Sequence, residues 1–135
     1  MAARHINILI GCNEQPLVQF TRLLLSAADQ GGTTFEFTES RSCDEFIRQA
    51  CTGDFGVVLL FANCILPTPP LTLIEHSVLA IKTIKATRVV PIVTLTSMEE
   101  WLELLRAAGA DACLPLPVLP TDLRNAVFSC VEHDT

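Results

Sequence analysis

The chain reads as a doubly wound α/β domain in which five parallel strands alternate with five helices. Three observations predict this. Short apolar runs, continuous enough to be buried on both faces, recur along the chain. Amphipathic stretches stand between them, several opened by capping residues and closed by glycine. The alternation is strict from one end to the other. With 135 residues, the chain has room for one domain that buries about 68–70% of its unfolded surface. No repeat, linker or low-complexity segment divides it, so residues 1–135 are expected to form one domain. A further domain on a longer chain or on a partner stays open.

Ile6 to Ile10 is an apolar run broken only by Asn7, suited to a central parallel strand. Pro16 fits the first turn of a helix, in which Leu17, Phe20, Leu24 and Ala27 or Ala28 recur at helical spacing and which Gly31-Gly32 ends. Phe35 to Thr38 is a short second strand. Ser42 and Glu45 form a capping-box pattern for a helix through Phe46, Ile47 and Ala50 that Gly53 terminates. Val57 to Ala62 is the most apolar strand. The next stretch, LPTPPLT, carries Pro67, Pro69 and Pro70, which forbid regular helix. Thr72 with Glu75 gives a second capping box, and Ile74, Val78 and Ile81 line the helix behind it. Val89 to Leu95 is the fourth strand. Ser97 with Glu100 gives a third box, for a helix with Trp101, Leu104, Leu105 and Ala108 on one side and Gly109 at its end. Ala112 to Leu114 is a brief last strand. Leu123, Val127 and Cys130 or Val131 stripe the final helix.

Formal charge is −6 and the pI near 4.9, which leaves no basic footprint for nucleic acid. Direct binding of DNA is not expected. Apolar residues make up 50% of the chain and mean hydropathy is +0.42, so part of the apolar excess is expected outside, as a contact surface. Met1 to His5 precede an apolar strand too short for the core of a signal peptide. The longest apolar stretch, Val57 to Leu66, is interrupted by Asn63 and is far below the ~20 residues of a membrane span. A cytoplasmic protein without membrane contact is expected. The cysteines, Cys12, Cys43, Cys51, Cys64, Cys113 and Cys130, lack CxxC spacing or a tight His/Cys cluster. No zinc site is expected from them, and buried or half-buried thiols are the plainer reading.

The segments that end the strands carry the most information: ILIGCNE (8–14), VVLLFANCILP (57–67), PIVTLTS (91–97) and GADACLPLP (109–117). In open parallel sheets, ligands bind beyond the carboxyl ends of the strands. Cys12, Asn13, Asn63 and Thr96 fall at such ends and are expected to share one pocket, with Leu116 beside it. Together these segments resemble the receiver domain of bacterial two-component response regulators. That pattern ends its first strand in two acidic residues and puts a phospho-accepting Asp four residues before a Pro after the third. It has Thr or Ser after the fourth and Lys-Pro after the fifth. The matching positions here are Cys12 and Asn13, Asn63 with Pro67, Thr96, and Leu116 with Pro117. The match spans nearly the whole chain. It implies a flavodoxin-like (βα)5 domain, strand order 2-1-3-4-5, and a place in two-component signalling or a phosphorelay.

The residues depart from that pattern where its chemistry lies. Phosphotransfer in receivers, as the resemblance implies, needs a carboxylate nucleophile, a Mg²⁺ held mainly by carboxylates, and a Lys on the phosphoryl group. The amide of Asn63 is a poor nucleophile. Asn13 and Asn63 offer neutral oxygens and Cys12 a soft sulfur, where Mg²⁺ prefers carboxylates. Glu14 reads as a charge near a helix N-terminus, favourable by about 0.3–1 kcal/mol. An ammonium at Leu116 would lack its counter-charge, so an apolar side chain suits the neutral pocket. Thr96 keeps the family's Thr, a residue also common in strands for its β-propensity. Cys113 stands at the aromatic switch position and cannot perform the rotamer change of a Tyr or Phe. The expected protein is a pseudo-receiver, without cofactor or metal and not an enzyme, that acts as a phosphorylation-independent interaction module.

Its partner would be a signalling or output protein, or a second copy, on the face around residues 98–130. In LPLPVLP (114–120) three prolines stiffen the loop that presents Leu116, Val118 and Leu119, which lowers the entropic cost of binding. In the plainer reading, Leu116 fills the vacated pocket and Val118 caps the core. Trp101 is an interface anchor by residue type, while a Trp spaced in this way with Leu104 and Leu105 more often packs inward. An alternative of another class is a small-ligand or thiol redox sensor using Cys12, Asn13, Asn63 and Cys64. It requires a partly exposed thiol of low pKa beside a resolving one.

Overall fold

The computed structural model describes residues 4–27 and 33–133. Strands β1 (Arg4–Gly11), β2 (Thr33–Ser40), β3 (Val57–Phe61), β4 (Ile92–Thr96) and β5 (Ala112–Pro115) alternate with helices α1 (Gln15–Ala27), α2 (Cys43–Thr52), α3 (Leu73–Thr87), α4 (Trp101–Ala108) and α5 (Pro120–His133). All strand pairs are parallel, in the order β2-β1-β3-β4-β5. This is the flavodoxin-like arrangement expected from the sequence, and its topological switch point lies between β1 and β3.

Every residue of β3 and β4 is buried, which is why these strands are apolar without alternation. Successive side chains feed opposite faces of the sheet. Val58, Leu60 and Ile92 point into a layer with Phe46 of α2, Ile81 of α3 and Leu105 of α4. Val57, Leu59, Phe61, Val93 and Leu95 point into a second layer with Val18 of α1 and Leu123 and Val127 of α5. Each such aliphatic or aromatic side chain stabilises the fold by about 1.5–3 kcal/mol. Gly11 closes β1 where a Cβ would lie 2.6 Å from the Phe46 ring, so the bare backbone lets α2 approach the sheet at that point.

Several elements differ from the sequence reading for local reasons. β1 and β2 extend past their apolar runs because the parallel ladder continues from Arg4–Thr33 to Gly11–Ser40. β3 stops at Phe61, although the Ala62 N–H still donates to Leu95 O at 2.9 Å. β4 begins at Ile92 and not at Val89, which is 95% exposed. Pro91 has no N–H to give the ladder, and its carbonyl accepts from Val58 N at 3.0 Å. β5 runs one residue further, to Pro115.

Helix faces are rotated in the same spirit. In α1 the buried residues are Val18, Thr21 and Leu25, while Leu17 and Leu24 flank them and Phe20 is exposed. Thr21 is tolerated there because its hydroxyl donates to Leu17 O at 2.8 Å. Ala28 and the Gly31-Gly32 stop lie outside the described residues. α3 turns Ser77, Ala80, Ile81 and Ile84 inward, with Ile74 and Val78 half-buried. On α4, Leu105 is buried and Trp101 and Ala108 pack against the same layer, but Leu104 is 51% exposed. Gly109 ends α4 with φ +122, a conformation that side-chain-bearing residues rarely adopt. α5 buries Leu123, Val127 and Val131, leaving Cys130 half-buried.

The three capping patterns have three outcomes. Thr72 and Glu75 form the complete reciprocal box at α3. Ser42 accepts from Glu45 N at 3.2 Å, but the Glu45 carboxylate is engaged with Gln49, leaving half a box. Ser97 does not cap α4 at all, because that helix starts later, behind Glu100, with no side-chain cap bond.

Candidate functional site

The carboxyl ends of β1, β3, β4 and β5 are laced together by neutral hydrogen bonds. Asn13 N–H donates to Cys64 O, joining the loops after β1 and β3. Next to Cys64, the Asn63 carboxamide is held at both ends by Ser97. Its Nδ2 donates to Ser97 Oγ at 2.8 Å and its Oδ1 accepts from Ser97 N at 3.1 Å. Thr96, buried at 1% exposure, uses its hydroxyl to accept from Met98 N at 3.0 Å. Leu116 N then donates to Thr96 O at 2.9 Å, immediately before the cis Leu116–Pro117 peptide bond. The predicted residues Cys12, Asn13, Asn63, Thr96 and Leu116 are therefore neighbours at one end of the sheet.

Ser97 is the member that sequence reasoning missed, having placed it at a helix start. The sheet register contains the signal: Phe61 pairs with Leu95, so two residues further along parallel strands Asn63 faces Ser97.

Cys12 is fully buried at the end of β1, its Sγ 3.4 Å from Glu14 N and 3.7 Å from Glu14 O. Burial, partly opposed by the bond to Glu14, pushes its thiol up to about 11. Burial and the charge of Glu14 push the half-buried Cys64 thiol up as well. These shifts are opposite to what the thiol-sensor alternative requires. Cys12, Cys64, Leu116 and Val118 all pack in the layer facing α1 and α5, so Leu116 sits among apolar neighbours. Glu14 is exposed, and its carbonyl accepts from Leu17 and Val18 N at 3.1 Å, which places its charge at the start of α1.

The remaining predicted positions are spread over both faces. Cys113 packs in the layer of α2, α3 and α4, and its sulfur accepts from Thr94 Oγ1 at 3.2 Å. Trp101 is half-buried in that same layer. Leu116 and Val118 lie on the opposite side of the sheet, and Leu119 is 65% exposed. Trp101 and the Leu116–Leu119 loop therefore flank β5 from its two sides.

A second polar cluster went unread in the sequence, because its members are far apart in the chain. His76 of α3 is buried. Its Nδ1 accepts from Thr68 N at 3.0 Å and its Nε2 lies 3.2 Å from Asp44 of α2. Thr68 Oγ1 also donates to Asp44. The three-proline loop is thereby tied to α2 and α3. Among the described residues, no group of three or more His, Cys, Asp or Glu side chains is placed to hold a metal ion, and no helix is long and apolar enough to cross a membrane.

No family model and no curated protein matches the chain. Solved structures do. The receiver domain of the Francisella response regulator 1452 is 16% identical with a TM-score of 0.75, covering 96% of this chain and 99% of its own. A response regulator receiver domain protein from Clostridium thermocellum is 21% identical with a TM-score of 0.72, covering 96% of each chain. The receiver domain of a sensor histidine kinase from Pseudomonas aeruginosa, with a magnesium ion coordinated in its active site cleft, is 17% identical with a TM-score of 0.73, covering 97% of this chain and 99% of its own. At these identities the likeness is one of fold.

Proposed function

We propose that the chain is an atypical receiver domain of two-component-type signalling that works in the cytoplasm as a phosphorylation-independent protein-interaction module, without catalytic activity of its own. One observation carries this reading: both ends of the Asn63 carboxamide are engaged by Ser97. At the position where a receiver would hold its nucleophile stands a neutral group already hydrogen-bonded at both ends by the protein. The residues around it, Cys12, Asn13, Thr96 and Leu116, add no negative charge for a divalent cation and no positive charge for a phosphoryl group.

The partner surface in this reading is the edge at β5. Met98, Leu104 and Leu119 are exposed there at 36%, 51% and 65%, on segments flanking the edge strand. Leu116, Val118 and Trp101, half-buried on the two sides of β5, belong to the same proposed surface.

Intact-protein mass after incubation with acetyl phosphate and Mg²⁺ tests the central claim. The expected mass is unchanged. Gain of one phosphoryl group would overturn it.

A further inference from the structure

A cavity lies at the other end of the sheet, by the amino ends of β4 and β5. It measures about 390 Å³, within the range typical of small-molecule sites. Lys85, near the end of α3, donates to Val90 O at 3.1 Å and to Asp111 Oδ2. The same carboxylate oxygen accepts from Ile92 N at 2.7 Å. An ammonium has three protons and a carboxylate two oxygens, so one proton of Lys85 and Oδ1 of Asp111 have no bond within the described residues. Both side chains are partly exposed. From α5, Ser129 and Cys130 supply another wall, and Val89 and Pro91 an apolar one. The Cys130 thiol is close enough to feel both charges: burial and Asp111 raise its pKa while Lys85 lowers it.

A purely anionic ligand would lie against the Asp111 carboxylate and a purely cationic one against the Lys85 ammonium. An uncharged apolar ligand would cover both open groups without satisfying either, at a cost for each. A molecule with an anionic and a cationic group borne by one carbon and a short apolar tail meets all three walls. We propose that this cavity binds a free α-amino acid with an aliphatic side chain, its carboxylate on Lys85, its ammonium on Asp111 Oδ1 and its side chain against Val89 and Pro91.

The test is an amide NMR titration of the full ¹⁵N-labelled chain with L-leucine. Expected are saturable shifts centred on Lys85, Val89 to Ile92, Asp111 and Ser129–Cys130, and binding at least about tenfold weaker for N-acetyl-leucine, which lacks the ammonium, and for isoamylamine, which lacks the carboxylate. Ser129→Trp changes an exposed helix position at the mouth of the cavity. Its spectrum should remain that of a folded chain while the leucine shifts disappear. Absence of saturable shifts up to about 20 mM, a free energy weaker than about −2.3 kcal/mol, would overturn the proposal. So would equal binding of the analogues that lack one charge, or leucine shifts that persist in Ser129→Trp. None of these results bears on the interaction reading, which rests on the opposite end of the sheet.

Discussion

At the scale of single residues, the buried thiols make a measurable statement about pH. Cys12 and Cys43 are both pushed up to about 11, chiefly by burial. Their folded-state pKa lies above that of an unfolded thiol, about 8.5, so the folded chain keeps protons that the unfolded chain releases. The stability this contributes is whole below the unfolded value and is lost as pH rises through about 11. It amounts to about 3 kcal/mol per thiol at the upper end. The urea midpoint is expected to hold from pH 7 to 8 and fall between 9 and 11, with Cys12→Ala removing part of the fall. An unchanged slope in that variant would mean that water reaches the thiol. Asn63 yields a second prediction. Asn63→Asp should give no phosphoryl mass gain with acetyl phosphate and Mg²⁺, because Asn13 and Leu116 still withhold the metal ligand and the cation. Robust labelling of that variant would show that the carboxylate alone suffices. Gly11→Ala should cost about 1–3 kcal/mol in chemical denaturation, because its methyl would overlap the buried Phe46 ring.

At the scale of elements, Thr72→Ala removes the cap of α3 and is expected to cost about 1 kcal/mol. Ser97→Ala removes only a bond to Asn63 and should cost less. Urea unfolding of the two variants checks the order, and the reverse order would mean that α4 depends on Ser97 after all. The pair also illustrates what could be read in the sequence. Both positions carry the same Ser/Thr-x-x-Glu pattern, and the pattern alone does not say whether a competing partner exists. Ser97 has one because parallel register brings Asn63 beside it. The alternation of elements was legible because β3 and β4 are buried on both faces and must be apolar throughout. The face of α1 was less so: Leu17, Val18, Phe20, Leu23, Leu24 and Leu25 support two overlapping helical stripes, and only packing selects Val18 and Leu25. The strand-end site was legible as a set of positions, since strand phase fixes where each end falls. The bonds within it, like the His76–Asp44–Thr68 cluster, join distant segments and need the fold.

At the scale of the molecule, the β5 edge is poorly suited to adding another strand. It is only four residues long and ends in Pro115, and short edges with proline resist pairing. A partner on that side would meet side chains instead. Leu104→Lys combined with Leu119→Lys should leave the fold intact, both positions being exposed, and weaken association at least about tenfold in sedimentation or partner titration. Unchanged association would move the contact elsewhere, for which exposed Phe20 and Leu23 on α1 are the next surface to alter. The lacing of the strand ends has a consequence of its own. A site that accepts a covalent mark carries a memory, because the mark outlasts the event that made it. The bonds Asn13–Cys64, Asn63–Ser97 and Thr96–Leu116 all join neutral groups, and none of them has a second chemical form at neutral pH. On the reading proposed above, a molecule built this way keeps no record at that end, and what it reports there depends on how much of it, and of whatever it meets, is present at the moment.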